Sequence, residues 1–219
     1  VGLPDTGRCI ISVEEGKIHV RTSAACIGQG MATVTTQIAC ETLNLPPEMI
    51  VAEAPDTRRT PNSGTTTASR QSLFTGEATR RAAMQLRYEL DMGRALSDLE
   101  GEEFYGEYSA KTDPLINDKK SPVSHAGYGY AAEVAILDDK GKVAKFVAAY
   151  DMGQVVNPRA AEGQIEGGIA MGMGYALTEK FALEEGYVKA KYATLGLVNA
   201  TQVPPIETIL VHADNLHEG

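Results

Sequence analysis

The 219 residues predict an α+β protein with mixed or antiparallel sheets and long packed helices, and two observations carry that prediction. Strand pairs joined by turn-forming residues occur near the start and again past the middle of the chain. Each pair is followed by a stretch whose apolar residues recur at helical spacing.

The elements follow in order. Residues 9–14 and 18–22 alternate apolar and polar positions around Gly16-Lys17, which predicts a β-hairpin. After Gly28-Gln29-Gly30, the spacing of Met31, Val34 and Ile38 predicts a helix closed by Leu45-Pro46-Pro47, with a short strand at 49–54. A stretch rich in Thr, Pro, Asn and Ser covers 56–67. Phe74, Ala78, Ala82, Leu86 and Leu90 then repeat every four residues toward Gly93, the mark of a long helix. Strands are predicted at 102–109, 129–137 and 143–151, the last two joined by Asp138-Asp139-Lys140-Gly141. Asn157-Pro158 reads as an N-cap followed by a first-turn proline, ahead of Ile165, Ile169, Met173, Leu177 and Phe181 at i,i+4. That third helix holds Gly163, Gly167, Gly168, Gly172 and Gly174, each costing about 1 kcal/mol relative to alanine, so something is expected to approach its backbone closely. Pro204-Pro205 marks a turn before a strand at 207–212. Two lobes are expected, 1–110 with the first Gly motif and the hydroxyl-rich helix start, and 111–219 with the strand meander and the Gly-rich helix.

Composition narrows the function. With 43% hydrophobic residues the chain encloses a real core, and 20 basic against 29 acidic residues leave a net charge of −9 without a basic stripe for a nucleic-acid backbone. No apolar run reaches the ~20 residues of a membrane span, and the first residues lack a secretory signal, so a cytoplasmic protein is expected. Cys9, Cys26 and Cys40 form no Cys-x-x-Cys pair, and His19, His125, His212 and His217 lack the spacing of a helical metal site. No residue is nominated as a metal ligand. The abrupt start and finish look like those of a piece from a longer chain.

Three motifs could carry chemistry. In Ile27-Gly28-Gln29-Gly30-Met31, glycines on both sides of Gln29 allow a sharp turn whose N–H groups meet a ligand, and the Gln amide suits a polar heterocycle. An ordinary tight turn would look the same. Asn62-Ser63-Gly64 leads into Thr65-Thr66-Thr67-Ala68-Ser69-Arg70-Gln71-Ser72, with five hydroxyls in eight positions where a helix begins. Hydroxyls beside helix N-terminal amides make an anion cradle that needs no net positive charge, although Ser or Thr capping explains one or two of them. Third, Asp151-Met152-Gly153-Gln154-Val155-Val156-Asn157-Pro158 precedes a Gly-faced helix carrying Gln164 and Glu166, read either as tight packing or as polar groups turned to an interior pocket.

Taken together, these motifs resemble the second molybdopterin-binding half of the large subunit of molybdenum hydroxylases, the xanthine dehydrogenase and aldehyde oxidase family. The resemblance runs through Gly28-Gln29-Gly30 with Thr33 and Gln37, through 66–72 with Gly76-Glu77-Ala78, and through 151–158 with Gly163 to Gly168. It implies that Ile27, Gly28, Gln29, Gly30, Met31, Thr66, Thr67, Ala68, Ser69, Arg70, Gln71 and Gln164 line the pterin and its pyrophosphate, with Thr67 and Ala68 toward the metal and substrate side. It further implies an oxidoreductase that hydroxylates purines, aldehydes or N-heterocycles with water-derived oxygen, and a molybdopterin cofactor, bare or as a cytosine dinucleotide. The implied partners are the N-terminal half of the same subunit, iron–sulfur and FAD domains or subunits, and a small-molecule substrate. The family's catalytic glutamate segment would follow shortly after 215–219, so no catalytic residue is nominated. Glu218 and Glu166 do not match its motif, and the isolated chain is expected to lack cofactor and turnover. The competing reading is a non-catalytic domain for phosphorylated ligands or for assembly.

Overall fold

The computed structural model describes residues 5–114, 116–123 and 127–212; His125, His217 and 215–219, with Glu218, lie outside these. The chain divides into two compact units, 1–128 and 129–219.

In the first unit, β1 (Asp5–Glu14) and β2 (Lys17–Arg21) form the expected antiparallel hairpin, closed at Glu14↔Lys17. Glu15 and Gly16 both take positive φ, 51° and 69°, the backbone of a turn whose twist matches the strands. β3 (Ile50–Ala52) adds to β2 in parallel and β4 (Glu103–Ala110) to β1 antiparallel, giving the order β3-β2-β1-β4. Two helices, α1 (Met31–Leu43) and α2 (Gln71–Asp91), cover one face. Strand alternation turns Cys9, Ile11, Val13, Ile18 and Val20 toward them, against Ala39, Leu43, Ala78, Ala82 and Leu86. Fully buried leucines and isoleucines such as Leu86 and Ile11 each contribute about 1.5–3 kcal/mol.

Glycine decides how closely α2 lies on the sheet. A Cβ at Gly7 would stand 2.3 Å from the Phe74 backbone, and one at Gly106 would stand 2.0 Å from the Ala78 carbonyl. Only glycine lets β1 and β4 meet the helix at backbone distance, which sets where α2 begins.

On the opposite face, the Arg21 guanidinium is buried at 2% exposure. It donates to Ser12 Oγ at 2.8 Å and Glu53 Oε1 at 3.0 Å and pairs with Glu14, while Arg59 reaches Glu14 and Glu53 at 3.6 and 3.5 Å.

The second unit pairs β5 (Tyr130–Leu137) with β6 (Val143–Asp151) antiparallel and β6 with β9 (Ile206–Leu210) in parallel. The sheets are therefore mixed, as the sequence allows. α3 (Pro158–Leu177) is capped by Asn157, whose side chain accepts from the Ala160 N–H at 3.0 Å. Its buried contact is short: Ile165 and Ile169 pack on Ala148, with Phe146, Tyr150, Ile206 and Leu210 around them. The expected apolar march to Phe181 stops early. The helix ends at Leu177, which is exposed, and Phe181 is 64% exposed beyond it. A small hairpin that periodicity did not reveal, β7 (Leu183–Glu184) and β8 (Tyr187–Val188), turns at Glu185-Gly186 with positive φ at both residues.

The close backbone approach expected along α3 is absent within this unit. A Cβ at Gly163, Gly167, Gly168 or Gly172 would have no other atom of the unit within 4 Å, and only at Gly174 does one crowd a neighbour, Glu179 Oε1 at 2.6 Å.

Candidate functional site

The first two motifs meet in the first unit. The Gly28-Gln29-Gly30 turn ends β2's outgoing segment and opens α1, with φ of 111° at Gly28 and 80° at Gly30. No atom lies within 4 Å of where a Cβ would stand at either glycine, so the turn's backbone is open to an approaching group. Ile27 is 76% exposed, Gln29 and Gly30 are half-buried, and Met31 is buried beneath them. Gln29 bonds within its own turn: Oε1 accepts from the Ile27 N–H at 2.6 Å and Nε2 donates to the Ala25 carbonyl at 3.4 Å. The N–H groups of Gly28, Met31, Gly30 and Gln29 also face Cys26, and hold its thiol below the usual range.

The hydroxyl-rich run sits at the start of α2. Thr67, Ala68 and Ser69 are exposed, and Ala68 and Ser69 take left-handed φ of 52° and 54°. Non-glycine residues in that region cost on the order of 1–3 kcal/mol each and persist only where surroundings enforce them. The side chains of Arg70 and Gln71, by contrast, turn inward. Arg70 donates from Nε to Asp5 Oδ1 at 2.8 Å, from Nη1 to the carbonyls of Ser63 and Thr65 at 2.8 and 3.2 Å, and from Nη2 to the Thr6 carbonyl at 2.9 Å. Gln71 donates to the Thr65 carbonyl at 3.2 Å and accepts from Thr75.

Capping, the ordinary explanation for hydroxyls at a helix start, does not operate here. Neither α1 nor α2 has a side-chain hydrogen bond at its N-cap, whereas α3 does. The first N–H groups of α2 therefore have no capping side chain, and at α1 the N–H of Met31 faces only the Cys26 thiol, at the ends where the helix dipole favours an anion.

The two loops are laced together. Thr66 Oγ1 donates to the Ala25 carbonyl at 2.8 Å, and the Ser63 N–H donates to Ser23 Oγ at 2.7 Å. The fully buried Ser63 hydroxyl meets Thr22 Oγ1 at 2.7 Å and also donates to the Arg8 carbonyl at 2.5 Å. Ser63 was not singled out from the sequence, where it is one hydroxyl among many. A hollow of about 390 Å³ adjoins the Gly-Gln-Gly turn, lined by Thr22, Ala24, Ala25, Cys26, Met31 and Thr35 among others. Gln164 lies on α3 in the second unit, where it is exposed.

One further cluster could suggest a metal. Ligand atoms of Glu14, His19 and Glu53 lie within 4.8 Å of one another. Arg21 and Arg59 already neutralise both carboxylates, and the Arg21 hydrogen bond is the foremost cause of the lowered Glu14 pKa. We read the cluster as an ion-paired network across the sheet face.

Residues 2–104 and 95–204 both match the molybdopterin cofactor-binding domain. The chain belongs to that family. It is 28% identical over 219 residues to the xanthine dehydrogenase molybdenum-binding subunit of Escherichia coli O157:H7, covering 84% of the chain and 29% of that protein. It is 29% identical to the gamma subunit of the 6-hydroxypseudooxynicotine dehydrogenase complex of Paenarthrobacter nicotinovorans, over 84% of the chain and 28% of that protein. The crystal structure of the aldehyde oxidoreductase from Desulfovibrio desulfuricans superposes with a TM-score of 0.78 at 26% identity, covering 96% of the chain and 25% of that protein. The chain thus spans less than a third of the length of these relatives. The α+β architecture is the one that such molybdopterin-binding domains share.

Proposed function

We propose that the chain is part of the molybdenum-binding subunit of a hydroxylase of the xanthine dehydrogenase and aldehyde oxidoreductase type, and that the first unit holds the pyrophosphate side of the cofactor. The observation that carries this reading is the pair of helix starts, α1 and α2, both without side-chain caps and tied to each other by Thr66 and Ala25. The residues fit the group. Exposed Thr67 and Ser69 hydroxyls and two positive helix ends suit an anion, open glycines admit a flat ring edge, and no net positive charge is required.

The molybdenum–pterin group, when bound, supplies the two-electron redox centre at which a water-derived oxygen enters a C–H bond of a purine, aldehyde or N-heterocycle. The chain's own part is binding and orientation. Gly28 and Gly30 bring backbone N–H groups to the ligand, and Gln29 offers an amide to the heterocycle. Thr66, Thr67, Ala68, Ser69, Arg70 and Gln71 form or support the anion cradle.

The partners belong to the same proposal: the remainder of the subunit, iron–sulfur and FAD domains or subunits to receive the electrons, and a small-molecule substrate in the cytoplasm. The relative named as one subunit of a dehydrogenase complex supports an assembly of this kind. Among the described residues no helix is long and apolar enough to cross a membrane.

The test uses the full-length protein. Gln29→Ala and Ser69→Ala are each expected to lower pterin content several-fold, measured by fluorescence of the released, oxidised cofactor. Full occupancy in both variants would remove the cofactor from this site. The 219 residues alone are expected to show no molybdenum-dependent hydroxylation.

A further inference from the structure

We propose that Arg70 is a positioning residue, locking both cofactor loops into their ligand-ready shape from within, and that its guanidinium does not itself meet the ligand. The inference rests on the proposed cofactor site and concerns how that site is held in form.

An arginine beside a presumed pyrophosphate site is ordinarily read as the phosphate ligand, because its planar fork matches the oxygens of the anion. Here the geometry points the other way. The Arg70 side chain is 8% exposed, and its Nε, Nη1 and Nη2 already donate to Asp5 Oδ1 and to the carbonyls of Ser63, Thr65 and Thr6. The Asp5 carboxylate, 13% exposed, balances its charge, and its Cζ lies 4.9 Å from the centroid of the Phe74 ring. A phosphate could recruit this guanidinium only by breaking bonds that are already short and charge-assisted.

What the guanidinium grips is the loop itself. Gly64, at φ 73°, wraps so tightly around it that a Cβ there would stand 3.0 Å from Nη1. The same grip on the Ser63 and Thr65 carbonyls passes onward. The Ser63 hydroxyl and N–H hold Thr22 and Ser23, and the neighbouring Thr66 hydroxyl holds the Ala25 carbonyl, three residues before Gly28. On the other side, Arg70 directly follows Ala68 and Ser69, a consecutive pair of non-glycine residues kept at left-handed φ. One buried cation therefore ties the start of β1, the 63–66 segment and, through it, the segment leading to the Gly-Gln-Gly turn. Without it, the strained 67–69 turn would relax into commoner backbone conformations, and the hydroxyls and N–H groups would no longer converge.

A positioning role and a ligand role predict different behaviour before any cofactor is present. In the cofactor-free full-length protein, Arg70→Lys keeps the charge but loses the fork. Hydrogen exchange at backbone amides 63–69 and 23–30 is expected to speed up by about tenfold or more, with pterin content in the loaded protein falling in parallel. Unchanged exchange in both segments, with pterin content reduced, would overturn the proposal and make Arg70 a direct ligand. Should Arg70→Lys not yield folded protein, Thr66→Val carries the test, since it removes the last link, to the Ala25 carbonyl, and besides it only a long contact from Gln71 Nε2 at 3.4 Å, whose amide still donates to the Thr65 carbonyl. Exchange at 25–30 should then rise while that of α2 stays as it was, and unchanged exchange at 25–30 would refute the lacing. Gln29→Ala and Ser69→Ala separate the two ideas: if both leave pterin content intact, the cofactor reading fails, whatever the exchange data say about Arg70.

Discussion

Cys26 sits exposed just ahead of the turn that opens α1, where the N–H of Gly28 foremost, then those of Met31, Gly30 and Gln29, lowers its thiol pKa. Cys9 is fully buried in the sheet, and burial pushes its thiol up to about 12; burial first, and then the charge of Glu48, raise that of Cys40. Because the thiolate is the nucleophile, iodoacetamide at neutral pH is expected to label Cys26 first, Cys40 more slowly and Cys9 only on unfolding. Peptide mass mapping over time checks the order, and labelling of Cys40 ahead of Cys26 would show that the amide groups do not hold the thiolate. The sequence displays three equivalent cysteines, since what separates them is burial and the direction of N–H groups. Arg70 teaches the same lesson. Its place in a helix-start motif was legible, but its partner Asp5 lies 65 residues away, so an inward and an outward arginine read alike.

Secondary elements were legible where local chemistry decides them. The Glu15-Gly16 hairpin, the Asn157 cap and the apolar repeat of α2 each follow from residues a few positions apart. Glycines were legible only in part, since their meaning depends on what lies opposite. Those of α3 advertised close packing from sequence, yet Gly167 faces open space within its unit, whereas Gly7 and Gly106, inconspicuous in their strands, hold α2 at backbone distance. Opposite outcomes follow for one substitution. Gly106→Ala drives a Cβ into the Ala78 carbonyl and is expected to destabilise by about 3 kcal/mol, because neither backbone can yield cheaply. Gly167→Ala should stabilise the 219-residue chain by about 1 kcal/mol through helix propensity alone. Thermal unfolding of both variants checks this, and a loss of stability in Gly167→Ala would mean that another surface already covers α3.

At the scale of the whole chain, the two units differ in how much apolar surface each buries for itself. Fourteen described residues form the core cluster of the first unit, and three form that of the second. All eight residues of β5 are exposed although Tyr130, Val134, Ile136 and Leu137 are apolar, and its outer edge pairs with no described strand. A long apolar edge strand left open tends to pair with another chain, so such surfaces are ordinarily covered in a complete protein. The chain spans under a third of its relatives' length, which accords with a second unit whose stability comes from surfaces beyond its own core. Local opening free energy tracks buried contacts, so the units should not open together. In hydrogen–deuterium exchange on the 219-residue chain, amides of β5, β6 and α3 are expected to exchange well before those of β1, β2 and α2. Equal protection in both units would mean that Ala148, Ile165 and Ile169 suffice as a core. Faster exchange in the second unit that disappears in the full-length protein would instead locate its missing stability in the rest of the subunit.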